Sequence, residues 1–302
     1  MKIKQCPICF SRHYRLLSRY LPYYSLGLGE RFFKCLNCGM FSLDPVPSKK
    51  RIISLYGSGQ YHKRLQQQNM SWIGGSKNLE NYLKKRLIKV EKMLKKRGRL
   101  LDIGAGSGVF LAEAKKRGWK IKGIELDPQA IRYARRQFGI SLLNDELLNL
   151  KIPSQFFDAV HLNHVLEHVY DPVELLKRIK LILKPGGYLI IEVPNEIYPL
   201  SELIQFYLSY KLSCRYFVGK FLFREMTLVK LPPSLHLFFF NPNNLRQLLE
   251  KTGFKVVEIN TPRRNDRFDR TIYKSFWMSK LIYFLERKFK LGPNIEVFAL
   301  AS

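Results

Sequence analysis

Three sets of residues in this 302-residue chain have types and spacing that could do chemistry. The first is Asp102-Ile-Gly104-Ala105-Gly106-Ser-Gly108, between an apolar run that ends at Asp102 and a helix-like stretch from Val109. Glycines there let backbone approach a ligand that a Cβ would push away. The spacing is not the G-x-G-x-x-G dinucleotide fingerprint, and no Lys-Ser/Thr follows, so it is not a phosphate-binding P-loop. The second set is Cys6-Pro-Ile-Cys9 and Cys35-Leu-Asn-Cys38, two Cys-x-x-Cys knuckles. Four thiolates on two tight turns complete a tetrahedral zinc site with no open position, so a zinc ion there is structural. The fifth cysteine, Cys214, reads as a plain thiol. The third set is histidines. His164, Glu167 and His168 fall at i, i+3 and i+4 and would share one helix face. His236 precedes an aromatic run, Leu-Phe-Phe-Phe240.

These groups need a scaffold. Lys120-Ile-Lys-Gly-Ile-Glu125 reads as a second strand ending in an acid, about 20 residues past the glycine turn, where a carboxylate can take ribose hydroxyls. Phe156-Phe-Asp-Ala-Val-His-Leu162 reads as another strand, with a helix opening at His164. Leu183-Lys-Pro-Gly-Gly187 and the apolar run to Pro194-Asn195 read as a turn and a further strand. A helix with Leu83, Leu87, Val90 and Leu94 on one face and Lys/Arg on the other should precede the first strand, with Gly98 stopping it. The fold class is α/β, a doubly wound, mostly parallel sheet with the ligand at the carboxyl ends of the strands. A small cysteine-bearing unit over 1–62, a polar linker over 62–78 and a main domain over 79–302 follow.

The ordered blocks over 83–260 resemble class I S-adenosylmethionine-dependent methyltransferases, above all the branch of ubiquinone-type O-methyltransferases. The resemblance implies S-adenosylmethionine as cofactor. Asp102, Gly104, Ala105, Gly106 and Gly108 would shape its loop, and Glu125 and Leu126 would meet the ribose. Glu146, with Asp145 next, would lie near the adenine amine, and Asn163 would line the methyl-donor pocket. That branch carries Glu-x-x-Glu-His where this chain has His164-Val-Leu-Glu167-His168, and can hold a divalent cation there. With His164 replacing the first Glu, the expectation is packing and capping by Glu167-His168, with His168 kept as a pocket residue. Residues 236–242 resemble the family's His-x-x-Phe-Phe-Ser/Thr-Pro segment. In zinc-bearing sugar C-methyltransferases the matching histidine follows Tyr-x-Glu and serves as a base. Here Pro233-Ser234-Leu235 precede His236, which stays the candidate base beside a core or capping reading. The cysteine unit, with Phe41–Pro45 and Leu55–Tyr61, resembles the zinc-binding N-terminus of some bacterial methyltransferases that act on sugars or cell-surface glycans.

Composition narrows the partners. An apolar content of 46% suits a folded chain. No signal segment and no uncharged 18-residue apolar run is found, so a cytoplasmic protein is expected. The formal charge of +28 suits an anionic membrane surface, an anionic glycan or lipid, or nucleic acid. Residues 197–233 and 272–291 mix aromatics with Lys and Arg. They read as a helical lid over a bulky acceptor, or as helices in a membrane interface. The expected partner is a small-molecule, glycan or lipid-linked acceptor methylated on oxygen, or less readily on carbon, with peripheral contact to an anionic membrane. The rivals are an RNA methyltransferase and a non-catalytic cofactor-binding scaffold. No Asn/Asp-Pro-Pro-Tyr/Phe motif for base-amine methylation is present.

Overall fold

The computed structural model describes residues 5–17, 31–58, 77–195, 236–262, 284–285, 288–290, 292 and 294–302. The expected insertion over 197–233 and Cys214 lie outside the described residues, as do nearly all of the 62–78 linker and most of 272–291.

A small antiparallel sheet comes first, with β1 (Tyr14–Leu17), β2 (Arg31–Cys35) and β3 (Phe41–Asp44). Helix α1 (Lys49–Gly57) follows, its Ser48 cap accepting the Arg51 N–H. Helix α2 (Lys77–Leu94) buries Leu83, Leu87 and Val90 on the face that their spacing implies. It also buries Arg86, which the sequence reading placed on the solvent side. The physical reason is a set of inward-facing carboxylates, described below. Nor does Gly98 stop this helix. The left-handed residue after Leu94 is Lys95, with φ of 55°. Gly98 instead makes room for Asp158, whose Oδ2 would lie 2.1 Å from an added Cβ.

The main sheet has the order β5-β4-β6-β7-β10-β9. Strands β4 (Arg99–Ile103), β5 (Lys120–Ile124), β6 (Phe157–Asn163) and β7 (Leu183–Pro194) are parallel, while β10 (Asn294–Ala301) runs antiparallel to β7 and to β9 (Phe254–Asn260). Helices α3 (Val109–Lys116), α4 (Pro128–Phe138) and α5 (Pro172–Ile182) follow β4, β5 and β6, and α6 (Pro242–Lys251) precedes β9. Residues 157–162 of β6 are all buried, as a strand covered on both faces must be. Before Asn144, Leu143 forms a single parallel bridge to Ile124.

The two sheets are not separate bodies. Strand β8 (Phe238–Phe239) pairs with β3, Phe239 opposite Phe41 and Phe238 opposite Ser42. One apolar core runs from Cys6, Ile8, Phe33 and Met40 through Phe238 and Phe240 to Leu101 and Ile103. Burying each of these large side chains contributes roughly 1.5–3 kcal/mol.

Candidate functional site

The glycine turn forms as its spacing requires. Gly104, Gly106 and Gly108 have φ of 67°, 53° and 77°, in the left-handed region where a Cβ is strained. A Cβ on Gly104 would lie 2.4 Å from Val165 Cγ2, whereas one on Gly106 would meet nothing within 4 Å. The loop therefore packs on Val165 on one side and is open at Gly106. Ala105 holds the turn, its N–H donating to the Ile124 carbonyl at 3.0 Å and its own carbonyl accepting from Gly108.

Glu125, one residue past β5, closes onto this loop. Its Oε2 accepts the Gly106 N–H at 2.7 Å, and its Oε1 accepts from Leu126 and Asp127 at 2.8 and 2.9 Å. Asp145 accepts from the Glu146 N–H and from Asn149. Glu146 lies 2.7 Å from Lys49 Nζ of α1. Both acids expected at the adenine end thus stand on the loop beside Glu125, and α1 reaches across to them.

Asp102 does not face this loop. It is buried, and its Oδ1 bonds to His161 Nδ1 at 2.7 Å. Nε2 of His161 faces Arg86 Nη1 at 2.9 Å. Since Arg86 only donates, Nε2 accepts and the ring proton sits on Nδ1, donating to Asp102. Burial pushes the His161 pKa down, in agreement with a neutral ring. Arg86 also bonds Glu192, Glu296 at 2.8 Å, Tyr82 at 3.1 Å and the expected pocket residue Asn163 at 3.2 Å. Tyr82 donates to Glu192 as well. Burial alone would lower the Arg86 pKa, but Glu192 and Glu296 outweigh it and hold it raised. The sequence carried a signal for this cluster: Glu192 and Glu296 interrupt otherwise apolar strands.

The histidine segment is a turn and not the start of a helix. Helix α5 begins only at Pro172, capped by Asp171, whose Oδ1 accepts from Glu174 N–H. His164 has φ of 54°, and its N–H donates to the Glu192 carbonyl. Strain of this kind needs surroundings that fix it. Those surroundings are two buried carboxylates: His164 Nδ1 lies 3.2 Å from Glu167 Oε1, and Nε2 lies 3.2 Å from Glu192 Oε1.

The turn still gathers the expected residues. The His168 and His236 rings meet edge to face at 4.7 Å. Leu237 N–H donates to the Glu167 carbonyl at 2.8 Å, which ties the His236 segment to the turn. Glu167 is fully buried, and its Oε2 has no hydrogen-bond partner among the described residues. Burial raises the Glu167 pKa, but His168, His164 and His236 outweigh it and hold it at about 2. Ligand atoms of Glu167, His168 and His236 lie within 4.8 Å of one another, so this trio could hold a metal ion. His164, the position matching the resembled cation motif, is not in that trio.

At the other end, Cys6, Cys9, Cys35 and Cys38 bring their sulfurs within 4.8 Å. Cys6 and Cys38 are 3.6 Å apart, and Cys9 and Cys35 are 3.4 Å apart. Four bonds of about 2.3 Å to one zinc put tetrahedral sulfurs about 3.8 Å apart, so the cluster fits that ion. The Cys38 thiol holds Cys6 low, at about 5, so one thiolate is already favoured.

Known proteins resemble this chain over much of its length. The model of a family described as a methyltransferase domain matches residues 76–259. A ubiquinone biosynthesis O-methyltransferase from Coxiella burnetii is 26% identical over 182 residues, covering 58% of this chain and 71% of that protein. One from Aeromonas salmonicida is 27% identical over 206 residues, covering 66% and 73%. A solved SAM-dependent methyltransferase from Archaeoglobus fulgidus has 23% identity and a TM-score of 0.48, covering 73% of this chain and 94% of its own. A putative S-adenosylmethionine-dependent methyltransferase from Listeria monocytogenes has 15% identity and a TM-score of 0.49, covering 73% and 98%.

Proposed function

This chain belongs to the methyltransferase-domain family, and on that premise we propose that it transfers a methyl group from S-adenosylmethionine to an oxygen of a glycan or lipid-linked intermediate. One observation carries the reading. Glu125 is closed onto the open glycine turn, and that turn packs directly on the segment holding Glu167 and His168. The donor would lie along the loop, with its ribose at Glu125 and its adenine toward Asp145 and Glu146. The methyl group would point toward Asn163 and the histidines.

A sulfonium donor is already activated, so the protein mainly supplies position. A hydroxyl acceptor also needs a base, and His236 is the candidate, with His168 beside it. The O-methyltransferase names of the relatives favour oxygen over carbon. The charge of +28 favours an anionic acceptor, such as a lipid-linked phosphosugar.

We further infer a single structural zinc on Cys6, Cys9, Cys35 and Cys38. A second reading of the histidine site is favoured by Glu167 Oε2, which has no partner among the described residues: a divalent cation on Glu167, His168 and His236, orienting the acceptor oxygen.

The acceptor class is tested by incubating the protein with methyl-labelled S-adenosylmethionine and, separately, a polyprenyl-phosphate sugar fraction, a soluble anionic glycan fraction and total RNA. Label in either of the first two supports the proposal. Label in RNA, with binding that falls steeply with salt, contradicts it. Low-salt flotation with anionic vesicles tests the membrane contact, and no co-flotation would remove it.

A further inference from the structure

The geometry points to Tyr56 as a positioning residue of the methyl-transfer site, supplied by the cysteine-bearing unit to fix the ring orientation of His168. The inference rests on the reading of His168 and His236 as groups on the acceptor side of that site.

Tyr56 sits in the last turn of α1, and its hydroxyl lies 2.8 Å from His168 Nδ1, across 112 residues of sequence. The rings meet edge to face at 5.4 Å. On the other side of the imidazole, Nε2 faces Glu167 Oε1 at 3.8 Å. A hydroxyl both donates and accepts, so Tyr56 meets Nδ1 in either tautomer, and in both the bond fixes the plane of the ring and leaves Nε2 facing the site. A base oriented by a third group is the arrangement by which enzymes set a histidine. Here one of the orienting groups comes from outside the sheet that carries the histidine.

Two further contacts show that Tyr56 is delivered by a fixed element. Lys49 at the start of α1 pairs with Glu146. Gly57 at its end packs near the Leu126 carbonyl, 3.9 Å from where a Cβ would be. Helix α1 thus runs from the expected adenine side of the site to His168. Meanwhile β3, three residues beyond Cys38, pairs with β8, and the Leu43 N–H donates to the Leu237 carbonyl next to His236. The cysteine unit therefore reaches both histidines by separate routes: Tyr56 to His168, and β3 to the His236 segment.

The test is ring nitrogen spectroscopy on the zinc-loaded full chain labelled with ¹⁵N-histidine, without added divalent cations, comparing the wild type with Tyr56→Phe. Melting and calorimetry with S-adenosylmethionine run alongside. The expected wild-type signature is a His168 Nδ1 held in a hydrogen bond. Tyr56→Phe keeps the ring and removes the hydroxyl, so the His168 Nδ1 signal should move toward its non-bonded value while cofactor affinity stays within about twofold. Unchanged His168 signals in a folded Tyr56→Phe would overturn the inference. Wild-type protein that binds no S-adenosylmethionine would instead overturn the functional reading beneath it. If Tyr56→Phe does not fold, 3-fluorotyrosine at position 56 keeps the hydroxyl and strengthens it as a donor. The His168 Nδ1 signal then shifts if the bond is real and stays put if it is not.

Discussion

Two clusters of buried charge lie back to back in this protein and share Glu192, yet they are built differently. Around Arg86, every partner faces a complementary one. The guanidinium meets Glu192, Glu296, His161, Asn163 and Tyr82, and His161 hands its other nitrogen to Asp102. Around Glu167, three histidines surround a carboxylate with one buried oxygen that has no partner among the described residues, on a strained turn beside the glycine loop. The paired cluster ties α2, β6, β7 and β10 together. The incompletely paired one keeps an acceptor atom in reserve, at a cost in stability that a purely structural site would not need to carry. His164, between Glu167 and Glu192, joins them.

The comparison breaks most readily at Arg86. Arg86→Met leaves two carboxylates buried without their counter-charge and should cost about 3–5 kcal/mol. Urea denaturation measures it, and a loss under about 1 kcal/mol would mean that the cluster is not a structural lock. Adding Glu192→Gln to Arg86→Met should recover part of the loss, because one uncompensated charge is gone.

Next comes an ion pair that serves neither cluster. Glu91, on the same helix as Arg86, bonds Arg117, Trp119 and Arg97. Burial raises its pKa, but those donors outweigh it and hold it at about 2. A carboxylate lowered in the folded state stabilises above its unfolded value and loses that contribution as pH falls. The loss should therefore run from about pH 4.5 down to about pH 2 and amount to about 1–2 kcal/mol. Glu91→Gln should flatten that part of the stability–pH curve, and an unchanged curve would contradict the assignment.

The smallest stability effect is expected at Glu167. Glu167→Gln keeps the side chain's shape and removes a charge that the three histidines hold ionised, so stability should fall by about 1 kcal/mol, well below the loss at Arg86. Methyl transfer, or uptake of a divalent cation, should fall far more than stability does. A loss of stability as large as that at Arg86 would erase the distinction between the two clusters.

Much of this was legible in the sequence where the signal is local. The glycine spacing, the acid at 125 and the paired cysteines each occupy a few consecutive residues, and their backbone requirements are tied to those residues. Arg86 was misread because helical periodicity assigns Lys and Arg to the wet face. Only the two glutamates in apolar strands, 106 and 210 residues away, could have corrected it. Asp102 was misread with it: a carboxylate at a strand end next to a glycine turn suggests a ligand, but here it orients a buried histidine. His164, Glu167 and His168 do converge, though through a turn with a left-handed residue, because Asp171-Pro172 sets the helix start later. The approach of Tyr56 to His168 depends on how the cysteine unit docks, which no local spacing encodes.

The most direct test of the central claim is calorimetric titration of the zinc-loaded chain with S-adenosylmethionine and its demethylated product, with Glu125→Ala alongside. The account predicts micromolar binding of both, weakened by about tenfold or more in the variant, since Glu125 both orders the glycine loop and meets the ribose. No binding in folded, zinc-loaded protein, or binding that Glu125→Ala leaves unchanged, would contradict it.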